Sequence, residues 1–160
     1  MKIVPELYVQ NLDENIIFFV DILGFSIKYQ RPEEQFVYLT RKGLDLMLEG
    51  VEGNSRKWLT GELKPPFGRG INFQWDVKGI NFLYSRVQSI CSEAIFLPLE
   101  AKSYQVSGQL VTQEQFIVQS QMGIFSGFVK TYSEAVACVV NLYDKICYGR
   151  KIVPATTRID

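Results

Sequence analysis

The chain has 160 residues, 47% of them hydrophobic, and its 17 Lys and Arg residues balance its 17 Asp and Glu residues. This length allows one compact domain or two small fused modules, and the hydrophobic content argues against disorder. A net charge of zero gives no electrostatic footprint for nucleic acid. The chain contains no histidine, which excludes Ser-His and Cys-His nucleophile pairs and removes the most common metal ligand near neutral pH.

The first half of the chain predicts a strand, a helix and three further strands. Residues 2–9 read as the first strand, and residues 11–25 as an amphipathic helix. Asn11 or Asp13 provides the N-cap of this helix, and Gly24 provides its stop. Short strands follow at residues 26–30, 35–41 and 43–50. Residues 50–69 are rich in Gly, Lys and Pro and predict a loop.

The second half repeats this order. Residues 71–77 predict a strand and residues 79–90 an amphipathic helix. Candidate strands follow at residues 94–100, 101–107, 114–119 and 124–128. Laying Glu6 on Asn72 aligns the two halves at an offset of about 66 residues, which indicates an internal duplication of a βαβββ unit.

Each predicted strand has one apolar side and one mixed side. In the first strand Leu7 and Val9 alternate with Glu6 and Tyr8, and the later strands follow the same rule. The mixed side carries acids, amides and aromatic rings. One interpretation is a plain antiparallel sheet whose mixed side faces water. The other is a concave ligand-binding surface, which explains the rings and the few polar groups together.

Residues 6–50 resemble the first module of the glyoxalase/bleomycin-resistance/dioxygenase superfamily, which has the vicinal oxygen chelate fold. The resemblance is carried by V-x-N-L-D-x-x-I-x-F-F at the helix entry, LGF after the helix and the LMLE strand. PFGRGINFQWDV and NFLYSRV resemble the start of the second module, and EQFIVQSQMG resembles its closing hairpin. The resemblance covers residues 2–129 and is nearest to the bleomycin-resistance-type members.

This resemblance implies an α+β fold in which two βαβββ modules form curled mixed sheets around a cavity, with the helices outside. It also implies a homodimer. The domain would span residues 1–129, with modules at about 1–50 and 70–129 and a linker at 51–69. Residues 130–160 form an extension that the family does not predict. Its apolar stripe predicts an extra C-terminal helix, with Ser133 as N-cap and Gly149 as stop, followed by a tail.

Metal-dependent members of the family place His, Glu or Gln at four positions. The resemblance carries these positions to Val4, about Met47, Asn72 and Gly127. Val4 and Gly127 have no donor atom, Met47 offers only a soft thioether, and Asn72 is a weak oxygen donor. A register shift of two residues would bring Glu6 and Glu49 to the site and leave it a poor one. We therefore expect no metal and no other cofactor.

The leading hypothesis is a metal-free protein that sequesters a small organic molecule, such as a bleomycin-like antibiotic, in an aromatic and mildly acidic cavity. The expected ligand-binding residues are Glu6, Tyr8, Phe36, Tyr38, Met47, Glu49, Trp58, Phe67, Asn72 and Gln74. One alternative is a metal-dependent lyase or dioxygenase that uses Glu6, Glu49, Asn72 and Gln74. The other is an interaction protein with a vestigial cavity, in which the extra helix mediates assembly.

The remaining patterns bear on location and on other ligands. The N-terminus lacks the apolar core of a signal peptide and no apolar run is long enough for a membrane span, so we expect a cytoplasmic protein without a membrane partner. Cys91, Cys138 and Cys147 form no CxxC pair and predict reduced thiols. Gly68 and Gly70 follow no strand, which argues against a dinucleotide-binding loop.

Overall fold

A computed structural model describes residues 2–132, so the predicted C-terminal helix and tail lie outside the described residues. The first half forms a four-stranded mixed sheet with strand order β1-β4-β3-β2. Its elements are β1 (Glu6–Val9), α1 (Leu12–Ile17), a π-helical turn (Phe18–Ile22), β2 (Ser26–Arg31), a 3-10 turn (Pro32–Glu34), β3 (Phe36–Arg41) and β4 (Leu44–Gly50). β1 is parallel to β4, and the other neighbours are antiparallel.

The second half forms another four-stranded sheet, with strand order β5-β8-β7-β6. Its elements are β5 (Asn72–Asp76), α2 (Ile80–Ile90), a 3-10 turn (Ser92–Ala94), β6 (Ile95–Val106), β7 (Gln109–Gln119) and β8 (Phe125–Tyr132). The two sheets share one strand order, which confirms the predicted α+β fold of two βαβββ modules.

Two elements differ in extent from the sequence prediction. Residues 94–100 and 101–107 form the single strand β6, although Pro98 lies inside it. β6 is at the edge of its sheet, and an edge strand tolerates a residue that lacks a backbone donor. β1 begins only at Glu6, where its parallel pairing with Met47 starts.

The predicted first helix is composite. Asn11 is its N-cap, and the Asn11 Oδ1 accepts from the Glu14 backbone N–H at 3.2 Å. The helix becomes π-helical at Phe18 and is followed by Gly24, whose positive φ of 75° ends the turn as predicted.

The apolar sides of both sheets and of both helices contribute to one hydrophobic core. Phe25, which follows the first helix, lies 5.6 Å from Trp75 of β5, measured between ring centroids. Trp75 in turn lies 5.2 Å from Phe128 of β8. The two modules are therefore joined by packed aromatic rings.

The chain groups into two compact units. Among the described residues, one unit contains the chain up to Glu100 and Glu114–Lys130, and the other contains Ala101–Gln113 and residues 131–132. In the described part of the second unit, the Ser103 and Thr112 hydroxyls are 2.8 Å apart. The predicted boundary near residue 130 stays a prediction. Within residues 2–132, no helix has the length and apolar character needed to cross a membrane.

Candidate functional site

The mixed side of the first sheet brings together six of the ten predicted binding residues. Strand pairing forms one row from Glu6, Met47 and Tyr38. The next row contains Tyr8, Glu49 and Phe36. Because alternate residues of a strand share a face, both rows lie on the same side of the sheet.

Aromatic rings stack on the outer strands of this side. Tyr29 of β2 stacks on Phe36 and on Tyr38, with ring centroids 5.9 Å and 5.1 Å apart. The Arg31 guanidinium lies 3.9 Å from the Phe36 ring centroid, within cation–π range. The sequence reasoning missed Tyr29, which lies in the strand predicted at residues 26–30 and pairs with Tyr38 in the structure.

The Glu49 carboxylate is held by the loop that follows β4. Its side chain is only 4% exposed, and its Oε1 lies 2.8 Å from the Lys57 Nζ. The Ser55 hydroxyl also donates to Glu49, and Lys57 donates to the Gly50 carbonyl at 2.8 Å. The Trp58 backbone N–H donates to the Tyr8 hydroxyl at 2.9 Å. Residues 51–58 therefore form a strap over the β1 and β4 part of the mixed side.

The titration of the two acids reflects this strap. Burial raises the pKa of Glu6, and a hydrogen bond with Glu49 raises it further. Burial also acts to raise the pKa of Glu49, but hydrogen bonds from Lys57 and Ser55 outweigh it and hold that pKa below its ordinary value. Glu49 is thus the more acidic member of the pair, and the Lys57 ammonium lies against its carboxylate.

A second carboxylate on this side is also paired. The Asp45 Oδ2 lies 2.6 Å from the Lys2 Nζ and accepts from the Tyr38 hydroxyl at 2.6 Å. Hydrogen bonds from Lys2, Thr40 and Tyr38 lower the pKa of Asp45. The same bond to Asp45 raises the pKa of Tyr38 to about 12. The Glu49 and Asp45 carboxylates are therefore each paired with a lysine of the protein.

The second sheet carries an open groove of about 570 Å³. Pairing of β5 with β8 places Asn72 opposite Phe125 and Gln74 opposite Gly127. The lining residues are uncharged, and they are Asn72, Phe73, Gln74, Phe96, Gln115, Phe116, Ile117, Phe125, Gly127 and Val129. This groove contains the remaining predicted amides, Asn72 and Gln74.

Gly127 keeps part of this groove open. A Cβ at Gly127 would lie 3.4 Å from the Phe73 carbonyl oxygen and 4.0 Å from the Ile117 Cγ1, both ordinary contacts. A longer side chain would extend into the volume that the groove occupies. The rings of Phe96 and Phe125, with centroids 4.6 Å apart, supply the main aromatic contact surface.

The last two predicted residues are placed differently from the other eight. The Trp58 side chain is 65% exposed, and its ring centroid lies 4.4 Å from the Arg56 guanidinium carbon. Phe67 packs against the hydrophobic core. Neither residue lines the groove of the second sheet.

A larger opening of about 850 Å³ lies beside the start of α1 and contains only Phe36 of the predicted residues. Its lining is mainly polar, and α1 has only six residues. The groove of the second sheet is smaller but has the mixture of rings and amides that suits an organic ligand. We therefore take the groove as the candidate site.

The residues at the four family metal positions do not fit a metal ion. Val4 and Gly127 have no donor side chain, and Glu49, the substitute carboxylate, is engaged by Lys57. Within residues 2–132, no group of three or more Cys, Asp or Glu side chains is arranged to hold a metal. No catalytic step through a metal follows from this arrangement.

Comparison with known proteins finds a relative of high identity. No protein-family profile and no curated protein matches the chain. A glyoxalase/bleomycin resistance protein/dioxygenase superfamily member from Vibrio splendidus 12B01 is 45% identical to this chain and covers 79% of this chain and 95% of its own. Its TM-score is 0.38, so the relationship rests on the sequence identity.

Two solved structures of low identity share the fold. TioX from Micromonospora sp. ML1 is 18% identical, with a TM-score of 0.63 and coverage of 81% of this chain and 98% of its own. A bleomycin-binding protein complexed with bleomycin is 16% identical, with a TM-score of 0.55 and the same coverage of both chains. With the relative at 45% identity, these findings show that the chain belongs to the glyoxalase/bleomycin resistance protein/dioxygenase superfamily.

Proposed function

We propose that this protein binds a small organic molecule in the groove of the second sheet and sequesters it without converting it. The observation that carries the proposal is the chemistry of the groove. Its volume of about 570 Å³ is within the usual range of ligand pockets, and among residues 2–132 no acid, base or nucleophile lines it. Such a lining supplies contact surface and hydrogen bonds but no group for acid–base or covalent catalysis.

The lining also indicates the part of a ligand that enters the groove. A planar ring can pack against Phe96 and Phe125, whose edges and faces favour offset or tilted aromatic contacts. Asn72 and Gln74 make no side-chain hydrogen bond within residues 2–132, so their amides can donate to and accept from the ligand. An ionised group would enter an uncharged lining at a desolvation cost. We therefore infer an uncharged, planar, polar-edged group.

The finer proposal is an antibiotic ligand of the bleomycin type. The bleomycin-binding protein shares the fold at 16% identity, and that likeness motivates the test. The stacked rings of Tyr29, Phe36 and Tyr38 offer a second aromatic surface on the first sheet. A cationic ligand at Glu49 would compete with Lys57, which already neutralises that carboxylate.

Isothermal titration calorimetry with two probes tests the proposal. Naphthalene-2-carboxamide represents the uncharged planar amide, and bleomycin represents the cationic antibiotic. We expect the wild-type protein to bind at least one probe at submillimolar concentration. Gly127→Phe should weaken this binding at least about tenfold, which corresponds to roughly 1.4 kcal/mol, by filling the groove.

Gly127→Ala is the matched control. Its added Cβ makes only ordinary contacts, so we expect its affinity to stay within about threefold of wild type, or roughly 0.7 kcal/mol. Absence of binding by both probes at millimolar concentration would contradict the sequestration proposal. Equal binding by wild type and Gly127→Phe would move the site away from the groove.

The homodimer implied by the family resemblance belongs to the same proposal. Sedimentation velocity of the full chain should give the mass of a dimer. A chain that ends at residue 130 tests whether the extension contributes to assembly. A folded monomer at micromolar concentration for the full chain would reject the dimer.

A further inference from the structure

Two arginine side chains, one from each module, meet beside Gly24. Arg41 is the last residue of β3, and Arg86 lies in α2. A Cβ built on Gly24 would be 3.9 Å from the Nε of Arg41 and 3.9 Å from the Nε of Arg86. Both residues are half-buried. The two guanidinium groups therefore border the same small region of the surface.

Arg86 is fixed in this position by the first module. Its Nε donates to the Ile22 carbonyl at 3.1 Å, and its Nη2 donates to the Asp21 carbonyl at 2.6 Å. These carbonyls are at the end of the π-helical turn, where backbone acceptors lack helical partners. Within the part of the chain that the structure describes, the remaining N–H groups of Arg86 are available to a further acceptor.

Among the described residues, Arg41 has no compensating partner. Within residues 2–132 neither arginine forms an ion pair, and the Arg41 side chain makes no hydrogen bond. Burial lowers the pKa of Arg41, and the positive charge of Arg86 lowers it further. A guanidinium does not lose its proton in the working range of a protein, so its partial burial beside a like charge is unfavourable.

We propose that Arg41 and Arg86 form a binding site for an oxyanion, a phosphate or a carboxylate group, next to Gly24. The planar fork of a guanidinium matches two oxygens of such a group, and two forks offer donors from two sides. A bound anion would offset the repulsion between the two cations. Neither arginine lines the groove of the second sheet, so this site is independent of the proposed function.

Unfolding of the full chain by urea, in phosphate or in chloride at equal ionic strength, tests this site. Phosphate should stabilise the wild type. At a free phosphate concentration ten times the Kd of the site, the equilibrium constant for unfolding should fall about elevenfold. Arg41→Gln should abolish this gain. In chloride alone, Arg41→Gln should be at least as stable as wild type, because it removes the unpaired charge.

Lys42→Gln is the matched control, since Lys42 is the exposed neighbour of Arg41 and its loss changes the net charge equally. This variant should keep the phosphate gain. Repeating the urea unfolding in acetate distinguishes the two ligand classes. Acetate should stabilise the protein if the site binds carboxylates and should not if it binds only phosphate. If Arg41→Gln does not fold, Arg41→Lys, which keeps the charge but loses the fork, should show a reduced gain.

Two results would overturn the proposal. One is an equal phosphate effect, including none, in wild type and in the Arg41 variant that folds. The other is loss of the phosphate gain in Lys42→Gln as well, which would reduce the effect to general charge screening.

Discussion

Lys57 controls the charge of the mixed side of the first sheet. Its ammonium contacts the buried Glu49 carboxylate, the Gly50 carbonyl and the Ser55 hydroxyl. A carboxylate that is 4% exposed cannot exchange this partner for bulk water without rearrangement of the strap. The pair is therefore a structural element of residues 51–58 as well as an electrostatic one.

Replacing Lys57 by Met should destabilise the protein at pH 7. The change leaves the Glu49 charge buried without its ammonium partner, and such a group costs about 1–3 kcal/mol. Urea unfolding measures the loss. Lys64→Met is the control, because the Lys64–Glu62 pair is 70% and 77% exposed and should contribute less than about 1 kcal/mol.

The loss in Lys57→Met should depend on pH with a defined sign. In the wild type the pKa of Glu49 is held below its ordinary value of 4.5, so the stability from this pair is present above that pH and declines below it. In the variant, burial without the ammonium raises the pKa of Glu49. The difference between the two proteins should therefore be largest near pH 7 and shrink towards pH 4. A difference that grows on acidification would contradict this account.

At the scale of elements, Asn11 defines the start of the first helix. Its side chain accepts from the Glu14 N–H, and its carbonyl accepts from the Asn15 side-chain amide at 2.7 Å. Asn11→Ala removes the first of these bonds and should destabilise the protein by about 1 kcal/mol. Asn11→Asp retains an acceptor at the cap. Urea midpoints that are equal for the Ala and Asp variants would show that the cap contributes nothing.

Hydrogen bonds to Ser120 close the hairpin between β7 and β8. The Gly123 N–H donates to the Ser120 carbonyl at 2.9 Å, and the Ile124 N–H donates to the Ser120 hydroxyl at 3.3 Å. Gly68 packs against the same turn, where a Cβ would lie 2.7 Å from the Ile124 nitrogen. Gly68 is thus a point of close backbone packing.

The sequence predicted the strands in which apolar and polar side chains alternate along the chain, as in β3 and β4. Their two-residue period assigns Tyr38 and Met47 to one side, and the structure pairs them directly. It could not predict contacts made by residues without periodicity. Lys57 reaches Glu49 from a loop eight residues away, and Arg86 reaches the first helix from another module.

At the scale of the whole molecule, both modules depend on one core. The rings of Phe25 and Trp75 form an aromatic contact between the modules. In the second sheet Trp75 packs against Phe128, which stacks on Phe116. A repeated βαβββ unit leaves an apolar surface on each copy, and packing the copies together removes both surfaces from water. Unfolding of residues from either module should then follow one cooperative transition.

Phe128→Ala tests this coupling. Phe128 is fully buried in β8, and its truncation should cost about 3–5 kcal/mol in unfolding free energy. Phe82→Ala is the matched control, because Phe82 is 78% exposed and should change stability by less than about 0.5 kcal/mol. Amide hydrogen exchange should show the same loss of protection in β3 and β4 as in β7, although Phe128 lies in the second module. If only the second module lost protection, the modules would unfold separately, and the aromatic contact between Phe25 and Trp75 would not couple them.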